Sequence, residues 1–333
     1  MVSSRKHEMA VKTPITALDM FCGGGGSSLG ARMAGVQPVG GIDLWPIATA
    51  AYEANFETRT WCEPIETIDP NRVKRATGKI DLLLASPECT NHSVAKGSAP
   101  RCEKSRRTAF EVVRYAKALK PRWVVVENVT SMRHWEAFDE WWKKLEALGY
   151  HLKDITLRSE FFGVPQSRRR LFVVGDLRGE PQTPTENTTG RITTIGDVIE
   201  QVGKKGHSWP AGHLDSRQRA KPTLERIDRA FAELGRKTPF LVVYYGTDAA
   251  GGWQPLDRPL RTITTLDRFA LVAPNGKGHT MRMLQPLELA VAMGFPNNYR
   301  WPKSTRREKI KLIGNAVCPP VMKVVVEALT RDP

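Results

Sequence analysis

Ile15-Thr16-Ala17-Leu18-Asp19-Met20-Phe21-Cys22-Gly23-Gly24-Gly25-Gly26-Ser27-Ser28 begins as a short apolar run and breaks into four consecutive glycines. ITALDMF (15–21) has the length and composition of a buried strand. Glycines at a strand-to-helix turn allow positive φ and let a ligand approach the backbone. The stretch predicts strand, tight turn, then helix. Outward from it, PVGGID (38–43) reads as a second strand ending in Asp43, with a helix running through Asn55. IDLLLAS (80–86) and RWVVVEN (122–128) are apolar runs of strand length, with helical spacing over 108–119 between them. HWEAFDEWWKKLEALG (134–149) reads as an amphipathic helix stopped by Gly149, and RRLFVVGD (169–176) as another strand. Strands alternating with helices predict an α/β fold with a doubly wound, mostly parallel sheet.

The pattern changes near residue 178. Residues 179–222 are rich in Gly, Pro, Thr and charge, with little periodicity. FLVVYYG (240–246) and RTITT (261–265) look like strands of an irregular lobe, 286–293 looks helical, and 319–330 looks like a helix returning to the first domain. The expected division is 1–178 plus 305–333 for one domain and 179–304 for a smaller second lobe.

The chain has 333 residues, 41% of them hydrophobic, which suffices for a sizeable core. No run of 18 apolar residues marks a membrane helix, and the polar start MVSSRKHEMAVKTP lacks the apolar stretch of a signal peptide. These features predict a cytoplasmic protein. The net charge of +15 points to a polyanionic partner, because Lys and Arg near phosphates release counterions. Cys22, Cys62, Cys89, Cys102 and Cys318 form no CxxC pair, so no zinc cluster or other metal site is expected. An odd number of cysteines in such a chain predicts free thiols.

The glycine turn followed by an acid at the next strand end suits NAD, FAD and S-adenosylmethionine alike, and equally a tight turn with no ligand. There is no GxxxxGK[ST] loop, which disfavours ATP. The third strand runs into Ser86-Pro87-Glu88-Cys89-Thr90-Asn91-His92-Ser93, and the fourth ends in Glu127-Asn128-Val129. The carboxyl ends of parallel strands are where such sheets hold ligands. If the two strands are neighbours, a thiol and a carboxyl face one pocket. Gln166-Ser167-Arg168-Arg169-Arg170 places two arginines on one side of extended chain, able to cap that pocket with positive charge. Singly, each feature has a plain explanation: a buried thiol, a helix cap, a solvated basic face.

In combination and order these residues resemble the DNA (cytosine-5)-methyltransferase family, over 18–178 and 282–321. DMFCGGGGS is similar to the family's D-L-F-x-G-x-G-G, and SPECTNHS to its S-P-P-C-Q-x-F-S loop. Glu127-Asn128-Val129 is similar to its E-N-V, and QSRRR to Q-x-R-x-R. RMLQPLELAVAMGFP (282–296) resembles R-x-L-x-x-x-E-x-x-x-x-x-G-F-P, and LIGNAVCPP (312–320) resembles its G-N-A-V-P-P ending.

The resemblance implies a Rossmann-like methyltransferase fold with a target-recognition lobe, S-adenosylmethionine as methyl donor, double-stranded DNA as partner, and a monomer. It also implies a bacterial or phage-encoded, nucleoid-associated protein, with no membrane and no metal. Cys89 would be the nucleophile, with Glu127, Asn128, Arg168 and Arg170 completing the catalytic set. Asp19, Phe21, Gly23, Gly25, Gly26, Asp43, Leu44, Glu63, Ser86, Pro87, Asn315 and Ala316 would surround the cofactor. Lys96, Arg101, Lys104, Arg106, Arg107 and Gln166 would meet DNA, the first five on a loop closing over it. Arg217, Arg219, Arg226, Tyr244, Tyr245 and Arg268 are candidate base readers, and the basic stretch 300–311 would track the DNA backbone or face solvent.

Three loop positions depart from the family pattern: Glu88 for Pro, Thr90 for Gln and His92 for the aromatic. S-P-E-C is also similar to a prophage-type branch. An acid beside the nucleophile raises a thiol's pKa unless it points away. The alternatives are an RNA (tRNA) cytosine methyltransferase with the same site and a catalytically weak DNA-binding relative. An amino-nitrogen methyltransferase would want a [DNS]-P-P-[YFW] loop, which the chain lacks.

Overall fold

The computed structural model describes residues 14–87, 108–214, 219–245, 251–276 and 278–331. The expected glycine-centred unit is β1 (Thr16–Met20), a turn, and α1 (Gly26–Met33). It is followed by β2 (Gln37–Ile42), α2 (Pro46–Phe56), β3 (Arg59–Trp61), α3 (Pro70–Thr77) and β4 (Leu82–Ala85). Then come α4 (Phe110–Leu119), β5 (Trp123–Asn128), α5 (Phe138–Glu146), β6 (His151–Arg158), β7 (Gln166–Ser167) and β8 (Arg169–Asp176).

Seven of these strands form one sheet in the order β3-β2-β1-β4-β5-β8-β6. Its first five strands are parallel, while β8 runs antiparallel to both β5 and β6. Alternation along the strands explains the double winding. Leu18, Met20, Leu83, Val124 and Val126 point into a core with Val73 of α3, Tyr115 of α4 and Trp141 of α5. Ala17, Leu82, Leu84 and Val125 point the other way, towards α1 and the C-terminal helix. The site therefore lies along the carboxyl ends of β1, β2, β4 and β5, on either side of the crossover between β1 and β4.

The second lobe is more regular than its composition suggests. It holds α6 (Ile195–Lys204), β9 (Gly212–His213), α7 (Lys221–Leu234), β10 (Phe240–Val243), β11 (Trp253–Pro255), β12 (Leu260–Arg261), β13 (Phe269–Asn275) and β14 (Gly278–Met283). α6 starts on a capping box, Thr194 with Asp197, a four-residue signal hidden in a low-periodicity stretch. Five strands make an antiparallel sheet, β11-β10-β13-β14-β9. Of RTITT (261–265), expected to be a strand, only Arg261 is in strand form, following Leu260 in β12, which pairs with β7 outside the sheet. Phe240 and Val242 face α7, while Leu241 and Val243 face the first domain.

The chain closes with α8 (Pro286–Ala292), α9 (Arg306–Asn315) and α10 (Pro319–Thr330). Leu284, Met293, Phe295 and Tyr299 share one apolar cluster with Ala17, Leu29 and Val326 of the first domain and with Leu241 and Phe269 of the second lobe. α10 lies on α1, where a Cβ at Gly30 would meet the Pro319 carbonyl oxygen at 2.5 Å. The span 306–330 is long and apolar enough to cross a membrane, but it is two helices parted at Ala316–Cys318 and 67% buried within the fold.

Candidate active site

Phe21 and Gly23 carry positive φ, 59° and 50°, which turns the chain sharply after β1. The turn is locked by Asp43 at the end of β2: its Oδ2 accepts from Gly23 N at 2.9 Å and its Oδ1 from Trp45 N at 2.8 Å. Burial raises the Asp43 pKa against those backbone bonds. The four glycines are not equivalent. A Cβ on Gly25 would lie 2.5 Å from the Phe56 ring and 2.7 Å from Tyr299 Oη, and one on Gly26 would lie 2.1 Å from the Val317 carbonyl oxygen. Those two exist for packing. At Gly23 a Cβ would meet open space, with only the Phe21 oxygen at 4.0 Å. Gly23 is thus the glycine that leaves room for a ligand.

Asp19 is completely buried at the end of β1. Its Oδ2 accepts from Ser28 N at 3.2 Å and Ser28 Oγ at 2.8 Å, and Ser28 Oγ lies 2.7 Å from Tyr52 Oη. Its Oδ1 is buried without a hydrogen-bond partner. Burial pushes the Asp19 carboxyl up to about 7. Leu44 is 65% exposed beside Asp43, an apolar side chain held out flat at the site's rim. Glu63 already pairs with Arg72 at 3.1 Å. Asn315 is exposed at the end of α9, and Ala316 is buried beside the glycine turn.

At the next strand ends, Ser86 Oγ donates to the Phe21 carbonyl at 3.1 Å, and Asn128 Nδ2 donates to the Pro87 carbonyl at 3.1 Å. The parallel register Ala85↔Val126 sets Ser86 alongside Glu127. Glu127 is 7% exposed, and Arg170 Nε sits 3.2 Å from its Oε1. Burial raises the Glu127 pKa, and Arg170 and then Arg168 oppose it. Cys89 and the loop residues Lys96, Arg101, Lys104, Arg106 and Arg107 lie outside the described residues, as does Arg217.

Two residues of the Q-S-R-R-R stretch are held inside the fold. Gln166 has no exposed surface. Its Oε1 accepts from Ile263 N at 2.9 Å, and its Nε2 donates to Met293 Sδ at 2.7 Å. Arg168 is 4% exposed and spends its guanidinium on the carbonyls of Ile263, Gly314 and Ala316, at 3.1, 3.2 and 3.2 Å. It lines the same small cavity as Glu127 and Arg170 while its guanidinium holds those carbonyls, and Arg170 makes the ion pair with Glu127.

Three of the six basic side chains in the stretch 300–311 make internal contacts. Arg300 Nη1 donates to Ala54 O, Lys311 lies 4.8 Å over the Trp45 ring, and Arg306 bonds to Asp267, Gln285 and Leu284. Of the base-reader candidates, Tyr244, Tyr245, Arg226 and Arg268 cluster at the ends of β10 and β13. Arg226 lies 5.6 Å from the Tyr244 ring centre, and Arg268 Nη1 donates to Tyr244 O at 2.8 Å. Several functional neighbours left no sequence signal. Tyr299 Oη donates to Gly24 O at 2.6 Å, and Cys318 lines a cavity of about 10 Å³ with Glu127, Arg168 and Arg170. Burial pushes the Cys318 thiol up to about 11, which keeps it protonated and a poor nucleophile.

The family model for C-5 cytosine-specific DNA methylase matches residues 15–331. The chain is 28% identical to the Type II methyltransferase M1.BsuMI of Bacillus subtilis, over 95% of this chain and 80% of that protein. It is 32% identical to M.HgiDI of Herpetosiphon aurantiacus, over 90% and 89%, and 31% identical to M.HindV of Haemophilus influenzae, over 94% and 95%. Among solved structures, a prophage-encoded DNA modification methyltransferase from E. coli superposes with TM-score 0.66 at 18% identity, covering 95% of this chain and 98% of that one. Spodoptera frugiperda DNMT2 superposes with TM-score 0.68 at 15% identity, covering 95% and 100%; at these identities the two share the fold. With the strand-end carboxylates, the glycine turn and the Glu127–Arg170 pair in this order along one sheet, the chain belongs to the C-5 cytosine-specific DNA methylase family and is a DNA cytosine-5 methyltransferase.

Proposed function

We propose that the protein methylates C5 of a cytosine swung out of a specific duplex DNA sequence, with Cys89 adding transiently to C6 and S-adenosylmethionine as donor. The observation that carries the reading is Glu127: a buried carboxyl, paired with Arg170, alongside a strand end that leads in two residues from Pro87 to Cys89.

Carbon 5 of cytosine is too weak a nucleophile on its own. A bond from Cys89 Sγ to C6 pushes the ring's electrons towards C5 and N3, which splits one hard step into easier ones. A proton or hydrogen bond from Glu127 to N3 steadies the charge that builds there. Burial, by raising its pKa, keeps Glu127 able to donate. Arg170 adds fixed positive charge for the base O2, and Asn128 ties the Glu127 strand end to Pro87. Loss of the C5 proton to water or a base then expels Cys89. The ring is unreachable inside a helix, so the base must leave the stack.

S-adenosylmethionine fits the residues present and would supply an electrophilic methyl group. Asp19, wholly buried, would set the glycine turn behind the cofactor through its bonds to Ser28. Phe21 and Gly23 would line the turn, Asp43 would take the ribose, and exposed Leu44 would cover the adenine. Glu63 reaches an adenine amine only by sharing its bond with Arg72.

The test is bisulfite sequencing of host DNA after expression, with a 5-fluorocytosine duplex of the methylated sequence as a covalent trap. A trapped adduct on wild type and none on Cys89→Ala, with cofactor binding retained, is the expected result. Methyl transfer to tRNA and not to DNA would overturn it, as would turnover by Cys89→Ala.

A further inference from the structure

Gln166, Ser167 and Arg168 are held by consecutive residues of the second lobe. β12 runs parallel to β7, with Leu260 opposite Gln166 and Arg261 opposite Ser167. Leu260 N donates to Pro165 O at 2.9 Å, and Thr262 Oγ1 to Ser167 O at 2.8 Å. Ile263 N donates to Gln166 Oε1 at 2.9 Å, and its carbonyl accepts from Arg168 Nη1 at 3.1 Å. On the far side Arg168 Nη2 holds Gly314 O and Ala316 O. Residue 314 has to be glycine, because a Cβ there would lie 2.2 Å from Thr264 O.

The same segment is tied outward to the lobe's own sheet. Gln254 on β11 is 3% exposed and uses both ends of its amide: Oε1 accepts from Arg261 N at 3.2 Å, and Nε2 donates to Pro259 O at 2.7 Å. Arg261 Nη2 reaches Trp253 O at 3.1 Å. A seam made only for adhesion needs apolar area and scattered bonds. Here the polar contacts converge on the residues that lead into Arg170, and hence on its pair with Glu127.

We infer that residues 260–263 of the recognition lobe position the Arg168–Arg170 arm, so that Thr262, Gln254 and Gln166 set the rate of methyl transfer without touching the base. This rests on the reading of Glu127 and Arg170 as the groups that hold the flipped ring. The lobe that carries the DNA-reading sheet thereby also finishes the catalytic site, and each element alone is incomplete.

Thr262→Val is the probe, since it is isosteric and removes one hydroxyl bond at a half-buried position. The readouts are the single-turnover rate on the duplex identified by bisulfite sequencing, duplex affinity by filter binding, and melting temperature. The expected result is a rate loss of about 2- to 30-fold with affinity and melting unchanged. Thr262→Ser restores the rate, and Thr262→Val combined with Gln254→Leu loses less than the product of the two single losses. A wild-type rate in Thr262→Val overturns the inference, as does a loss confined to duplex affinity or a fully multiplicative double variant. If wild type itself transfers no methyl group to DNA cytosine, the underlying functional reading fails instead.

Discussion

At the scale of the residue, the site turns on two buried carboxyls with different tasks. Asp19 titrates near 3.8 in an open chain and near 7 when folded. Between those values the folded protein holds a proton that the unfolded chain has released. Its contribution to stability is full below about pH 4 and is lost as pH rises through about 7. Cofactor-free protein should therefore lose roughly 2–3 kcal/mol more stability than Asp19→Asn on going from about pH 5 to pH 7, by the cost of about 1.4 kcal/mol per pH unit. Denaturant melts at the two pH values would read this, and parallel curves for the two proteins would contradict it. Glu127 is the second carboxyl. Glu127→Gln keeps the shape but cannot pass a proton, so methyl transfer should fall by about 10²- to 10⁴-fold with cofactor affinity unchanged. Single-turnover kinetics and cofactor titration check it. Both acids were legible in the chain as strand-end residues. That Asp19 would keep an unpartnered oxygen was not, since it depends on Ser28 and Tyr52 arriving from two helices.

Among the elements, β1, β2, β4, β5 and β8 were readable because each is a short, largely apolar run bounded by a polar turn, whereas three-residue β3, RTW, carries no such signal. β6 was missed: HLKDITLR is half-polar, as suits a strand at the sheet's edge next to β8. α6 and α7 were missed because their signals are a capping box and a proline start inside charged sequence. The Q-S-R-R-R stretch shows two arginines on one side of the chain, but not that Gln166 and Arg168 would be bound by Ile263, Gly314 and Ala316, which arrive from distant parts of the sequence. Glycines carry the element-scale prediction. Gly314→Ala drives a Cβ into the Thr264 carbonyl, a backbone atom with nowhere to go. We expect it to destabilise the protein by about 1–3 kcal/mol. Gly35→Ala lies in open space and tests the contrast, being strained only by its φ of 82°. Thermal melts of the two variants separate a clash from a conformational penalty.

Across the whole molecule, the +15 charge is not spread as the sequence suggests. Arg300, Arg306 and Lys311 each make a contact within the fold, so part of that charge is already partnered before DNA arrives. Substituting Lys311 should change cofactor affinity through Trp45 and Asp43 while leaving the salt dependence of DNA binding unaltered. Filter binding at several salt concentrations would show a shallower slope if that placement were wrong.

The apolar cluster that joins Leu241, Val243 and Phe269 of the second lobe's sheet to α8 and α10 carries one more consequence. Specificity in such enzymes can be exchanged only along a seam that tolerates cutting. Here a donor's reading sheet grafted between about 179 and 284 would arrive with a foreign inner face. Chimaeras should fold only when those three positions, with Thr262 and Ile263, travel as the recipient's own, which divides the lobe into an exchangeable outer layer and a fixed inner one.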